Sequence, residues 1–216
     1  MDYNIAIIGA TGAVGQKILS TLVERNFPIK NIYLLASKRS VGKKIFHRGL
    51  EYTIELLEDF DFNKIDFAFF SAGGVISKRF AINAEKAGCY VVDNTSYFRM
   101  MEDISLIVPE VNSNCIKNLE RKIISNPNCS TIQMLVALKP IHNFIKIKNI
   151  VVSSYQSVSG AGQEAINELN KQSKELLEGR DINIKKFPKQ IAFNVIPQID
   201  DFLDSKFTKE EMKMVN

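Results

Sequence analysis

Short, nearly continuous apolar runs alternate with segments whose apolar residues recur every three to four positions through the first part of the chain. Residues 3–8, 32–36, 66–71, 90–93, 106–108 and 123–125 have the composition of short buried strands, whereas 13–25 and 75–87 carry helical periodicity. This alternation predicts an α/β fold, a doubly wound Rossmann-type parallel sheet. Residues 113–119 read as a further helical segment holding Cys115, and Cys89 opens the run 89–92. Past Asn128 the character changes. Residues 131–138 are apolar enough for a buried helix, 148–157 and 190–195 read as strands, and 163–177 as a strongly helical segment. A first domain is therefore expected over 1–128 and a second over 129–216, packed directly together because no low-complexity linker separates them.

Composition narrows the class. At 216 residues with 45% apolar content, the chain has ample material for a core. The net charge of +4 is spread over Lys-rich helical faces and forms no dense basic tract, which argues against nucleic-acid binding. No apolar run approaches the length that spans a bilayer, and Met1-Asp2-Tyr3-Asn4 leads straight into a strand, so neither a membrane anchor nor a signal peptide is expected. Three cysteines, without the spacing of a disulfide framework or a zinc site, point to a reducing compartment and no metal. The cytoplasm follows as the default location.

Four segments carry candidate chemistry. The first strand ends in Gly9-Ala10-Thr11-Gly12-Ala13-Val14-Gly15, which opens a helix. Backbone N–H groups at such a helix start can hold a pyrophosphate that the glycines let approach closely; a plain tight turn is the alternative. The second strand ends without the acidic residue that would bond a ribose 2′-hydroxyl and offers Lys38, Arg39 and Ser40, which suit a 2′-phosphate, so NADP is expected over NAD. Ser71-Ala72-Gly73-Gly74 ends a later strand, either beside the expected phosphates or as a plain strand-to-helix turn, and Arg99, in the loop after residue 93, is a candidate anion clamp or simply a solvated loop residue. Ser157 to Gly162 makes a second glycine-rich turn, either a nicotinamide cradle around Ser159 and Gly160 or an ordinary Ser-capped helix start. Finally, Asn126-Pro127-Asn128-Cys129-Ser130-Thr131 puts a thiol at the start of a helix, a setting that favours a reactive thiolate. Cys89 and Cys115 fit small buried hydrophobes instead.

Together and in this order, these segments resemble the aspartate-semialdehyde dehydrogenases along the whole chain. The matching stretches are 9–15, 36–42, 70–74, 93–100, 108–112, 125–131, 155–162, 193–200 and 207–215. The resemblance implies that Cys129 is the nucleophile that becomes an acyl thioester, that Asn128 and Gln156 orient the substrate, and that Glu210 receives its amino group. Arg99 and Lys213 would bind phosphate. Thr11, Gly12, Ala13, Val14, Arg39, Ser40, Ser159 and Gly160 match NADP contacts, and Gly9, Gly15, Ser71 and Gly73 are expected to join them from the reading of their turns. The second domain becomes an incomplete α+β substrate and dimerisation domain. The implied reaction interconverts aspartate semialdehyde plus phosphate with aspartyl phosphate, at the branch supplying lysine, diaminopimelate, threonine and methionine, and the complete enzyme is expected to be a homodimer.

The family's general acid/base histidine and the arginine that holds the substrate carboxylate lie downstream of the stretch matched by 207–215, and these 216 residues stop before them. His47, expected in a basic loop, and His142, expected to cap carbonyls at the end of the helix after Cys129, are poor substitutes. The chain is thus expected not to turn over alone, with a separate C-terminal fragment as one conceivable partner. An N-acetyl-glutamyl-phosphate reductase with the same acyl-thioester chemistry and a non-catalytic nucleotide-binding remnant are the alternatives that stay open.

Overall fold

The computed structural model describes residues 2–215, so Met1 and Asn216, the outer ends of the two expected domains, lie outside the description. By backbone contacts the chain forms two compact units, Met1–Lys146 and Ile147–Asn216. The first of these thus takes in the helix that follows Cys129.

In the first unit the elements are β1 (Tyr3–Ile8), α1 (Ala13–Glu24), β2 (Ile29–Ala36), β3 (Lys44–His47), β4 (Leu50–Leu56), β5 (Phe67–Phe70), α2 (Gly74–Lys86), β6 (Tyr90–Asp93), β7 (Ser105–Leu106), α3 (Pro109–Asn112), β8 (Ile123–Ser125) and α4 (Cys129–Phe144). Among the described residues the strands form one sheet in the order β3-β4-β2-β1-β5-β6-β8-β7, parallel throughout except for the β3–β4 hairpin. The order reverses direction between β1 and β5. In a parallel sheet that point opens a crevice beyond the carboxyl ends of the strands, where ligands bind.

Both faces of β1 are covered, as its unbroken apolar run requires. Ile5 and Ile7 face a cluster with Leu19, Leu34 and Ile54, while Ala6 and Ile8 face another with Phe70, Phe80, Val91 and Ile123. The period of two along the strand divides the core between the faces. Each large side chain buried this way contributes about 1.5–3 kcal/mol, which fixes the strand ends and the turns they carry.

Several expectations change. His47 ends β3, pairing across the hairpin with Leu50, and does not sit in a loop. Helix α4 has Cys129 in its first turn as expected, but it runs past Pro140 and, though expected to be buried, has no fully buried residue; Ile141 and Phe144 are 53% and 89% exposed. Its apolar composition calls for cover, but composition does not say what supplies it. Residues 113–118 form a 3-10 turn, too short of α-helical pairing to be the expected helix.

In the second unit α5 (Gln163–Leu177) has its expected bounds. Residues 148–157 and 190–195 are in no sheet ladder, contrary to the expected strands. Alternation and β-branching report a residue's fit to a pleated surface, and a strand exists only where a partner supplies hydrogen bonds. A short helix, α6 (Lys209–Val215), was not expected. Its start is a capping box: Thr208 N and Oγ1 donate to Glu211 Oε2 at 2.6 and 2.9 Å, and Glu211 N donates to Thr208 Oγ1 at 3.2 Å.

Candidate active site

The turns at the carboxyl ends of β1, β5, β6 and β8 make up the first unit's candidate site. Gly9 adopts φ 86°, and a Cβ there would sit 2.9 Å from the Ala72 nitrogen, so the Gly9–Gly15 turn and the Ser71–Gly74 turn touch backbone to backbone. Ser71 Oγ strengthens the contact by donating to the Ile8 carbonyl at 2.9 Å. Gly12 is the N-cap of α1 with extended backbone, and its N–H bonds the Gly9 carbonyl at 3.0 Å. The first amides of α1, from Ala13 onward, therefore begin next to the crevice, as a pyrophosphate cradle requires.

Beside these turns lies a cleft of about 230 Å³ lined by Val14, Ser71, Gly73, Gly74, Asn94, Thr95 and Ser96. Thr11 is half-buried in the Gly9–Gly15 turn, whereas Arg39 is exposed and Ser40 half-buried in the turn after β2, where the Ser40 N–H bonds the Ser37 carbonyl at 2.8 Å. Thr95 in the cleft lining is tied to a buried carboxylate. Asp93, fully buried at the end of β6, accepts from Ser77 Oγ at 2.7 Å and from Thr95 Oγ1 at 2.8 Å.

Arg99 belongs to the same scaffold. Its Nε donates to the Asn126 carbonyl at 2.8 Å and its Nη2 to the Asn94 carbonyl at 3.2 Å, tying the loop after β6 to the loop after β8. That second loop leads through Pro127 to Asn128, whose Oδ1 caps α4 by accepting from the Thr131 N–H at 3.1 Å. Cys129 is the first residue of the helix and is exposed. By contrast Cys89 is fully buried, its Sγ 3.3 Å from the Phe62 carbonyl, and burial pushes its thiol up to about 11. Cys115 is half-buried.

The second unit holds the remaining expected residues in two groups. Gln156 packs its side chain on Gly160, where a Cβ would come within 2.3 Å of Gln156 Nε2, and Ser157 Oγ caps the following 3-10 turn by accepting from the Ser159 N–H at 3.3 Å. Glu210 and Lys213 pair across one turn of α6 at 2.7 Å, and Lys213 Nζ also reaches Asp200 Oδ2 at 3.2 Å. Burial opposes the Lys213 ammonium, yet its bonds to Glu210 and Asp200 outweigh this and raise its pKa. Asp200 itself is held below the ordinary carboxylate range, first by the Asp201 N–H at 2.9 Å and, against burial, by Lys213.

Residues 4–119 match the family described as semialdehyde dehydrogenase, NAD binding domain, and residues 138–216 match semialdehyde dehydrogenase, dimerisation domain. An aspartate-semialdehyde dehydrogenase of Legionella pneumophila is 56% identical over 98% of this chain and 61% of its own length. One from Shewanella sp. (strain DB6705) is 52% identical over 99% of this chain and 64% of its own. A crystal structure of aspartate semialdehyde dehydrogenase II from Vibrio cholerae, described as complexed with ASA, superposes with a TM-score of 0.96 at 52% identity, covering 100% of this chain and 64% of that one. The chain belongs to the aspartate-semialdehyde dehydrogenase family. It spans about three fifths of the length of these relatives.

Within this family chain, sequence reasoning left out Asn94, Thr95 and Asn126 as site residues, although each borders or braces the cleft. Their signal was weak but present: polar residues directly after the apolar runs of β6 and β8, where a parallel sheet carries its ligand-facing loops. Asp200, which pairs with Lys213, carries no such signal. It is a non-glycine residue at φ 67°, a conformation that sequence does not announce.

Proposed function

We propose that this chain carries the cofactor-binding and nucleophile-bearing part of an NADP-dependent aspartate-semialdehyde dehydrogenase. The observation that carries the reading is Cys129, exposed at the first position of α4 behind its Asn128 cap, at the same end of the sheet as the Gly9–Gly15 turn. A helix N-terminus stabilises an anionic sulfur, and the names of relatives at 52–56% identity favour this enzyme over the N-acetyl-glutamyl-phosphate reductase alternative.

In the proposed reaction, Cys129 Sγ forms a bond to the aldehyde carbon of aspartate semialdehyde, and the former carbonyl oxygen takes up a proton. NADP, when bound, would accept the hydride that takes this carbon to the thioester level, while the hydroxyl formed in the first step gives its proton to solvent. Inorganic phosphate then bonds to the thioester carbon and the Cys129 thiolate leaves, releasing aspartyl phosphate. Biosynthesis of lysine, diaminopimelate, threonine and methionine uses the reverse direction.

Asn128 and Gln156 orient the reacting carbonyl, Glu210 receives the substrate's amino group, and Arg99 and Lys213 bind the phosphate. The turns of Gly9, Thr11, Gly12, Ala13, Val14 and Gly15 and of Ser71 and Gly73 fit a dinucleotide, since added Cβ atoms at Gly9 and Gly15 would fill backbone contacts. Arg39 and Ser40 hold the 2′-phosphate, and Ser159 and Gly160 face the nicotinamide. We place the functional boundary between cofactor and catalytic domains after Asn128. A cytoplasmic homodimer completes the proposal. It is supported by the dimerisation-domain match and by the apolar surface of Val136, Ile141 and Phe144 on α4. No helix among the described residues is long and apolar enough to cross a membrane.

Incubation with aspartate semialdehyde and NADP followed by peptide mass mapping tests the reading. A mass increase confined to the Cys129 peptide and lost in Cys129→Ser is expected; an adduct confined to another peptide overturns it.

A further inference from the structure

Asn126 does more than connect β8 to α4. Its N–H donates to the Asp93 carbonyl at 2.9 Å, its carbonyl accepts from Arg99 Nε at 2.8 Å, and its side-chain Nδ2 donates to Asn94 Oδ1. Asn94 is anchored in turn, its N–H bonding the Phe70 carbonyl at 2.9 Å and its own carbonyl accepting from Arg99 Nη2. Beneath both lies the buried Asp93 carboxylate with its two hydroxyl donors. The turn after β8 is therefore held from three directions, and two residues later the fixed backbone becomes the cap and first turn of α4. Pro127 between them has its φ locked by its ring, so orientation imposed at Asn126 passes on with little loss.

We propose that Asn126 is a positioning residue for Cys129, acting through its amide-to-amide bond with Asn94 to fix the orientation of the first turn of α4, and with it the thiol, at the carboxyl end of the sheet. Helix N–H groups act on a sulfur only within the first turn and only in a suitable direction. A tilt of that turn thus costs reactivity without unfolding anything. The proposal rests on the reading of Cys129 as the nucleophile.

The test measures carbamidomethylation of the three cysteines in the 216-residue chain without cofactor, by timed quench and peptide mapping. Asn126→Ala should slow labelling of Cys129 roughly three- to tenfold, the size of one net hydrogen bond, and leave the rate at Cys115 unchanged. Asn94→Leu, which removes the other partner, should slow it equally, and the double variant should add nothing further. Asn94→Asp keeps an acceptor for Asn126 Nδ2 and should retain most of the rate. Unchanged or faster Cys129 labelling in folded Asn126→Ala or Asn94→Leu overturns the proposal, as do additive effects or the absence of rescue by Asn94→Asp. Should Asn126→Ala not fold, the Asn94 pair alone decides. If instead Cys129 is not the fastest thiol in the unaltered chain, it is the nucleophile assignment that fails.

Discussion

Gly15 lies so close beneath Gly9 that a Cβ on it would stand 2.3 Å from the Gly9 carbonyl oxygen and 2.8 Å from the Ala10 Cα. Both neighbours are backbone and cannot swing aside. Gly15→Ala should therefore push the turn off α1, destabilising the first unit by about 1–3 kcal/mol as overpacking does and weakening NADP binding. Thermal melts and a cofactor titration check this; unaltered values for both would show that the turn has more room than its geometry indicates.

Cofactor choice should follow Arg39 and Ser40. Calorimetric titration is expected to favour NADP over NAD, and Arg39→Glu should remove the preference. A charge-assisted contact contributes about 1.5–3 kcal/mol, a difference well within the reach of the method. Equal affinities for the two cofactors, or NADP binding untouched by Arg39→Glu, count against the assignment.

Cys129 should be the first of the three thiols to react with iodoacetamide, and Cys89 the last, because Cys89 is fully buried and burial pushes it up to about 11. Raising the pH from 7 to 9 should leave Cys89 essentially unlabelled in the folded chain. Early labelling of Cys89 would mean that the core around Phe62 opens readily.

Arg121 joins three segments, donating to Glu85 on α2 from Nε at 2.9 Å and to Asp103 from Nη1 at 2.5 Å. Glu85 is only 14% exposed in its side chain, so Arg121→Met would leave a largely desolvated carboxylate short of its donors. A loss of about 1.5–3 kcal/mol is expected in urea unfolding, and Glu85→Gln in the same background should recover part of it. No recovery would place the cost in lost packing of the arginine stem.

Acid should loosen the second unit through Asp200. Its folded-state pKa is lowered, so it contributes stability that is complete above the unfolded value of about 3.9 and is lost as the pH falls through the folded value below it. Asp200→Asn, which tolerates the positive φ, should lower the melting temperature at pH 7 and lower it less near pH 2. A deficit of the same size at both values would rule out the carboxylate as its source.

Most of the sheet and its turns, though not β3 and β4, were legible in the sequence because each depends on local rules. Unbroken apolar runs specify strands buried on both faces, glycines specify the turns that φ 86° at Gly9 and φ 92° at Gly73 require, and the Asn128 cap specifies where α4 starts. The capping box of Thr208 and Glu211 was equally local and could have revealed α6. What only the tertiary structure decided are relations between distant residues: the β3–β4 hairpin on the edge of a parallel sheet, the absence of ladder partners for 148–157, and the bonding of Asn126 to Asn94 and Arg99. A side chain's chemistry is encoded at its own position. Its partner is chosen by which strand ends the sheet order brings side by side, as β6 lies against β8 here.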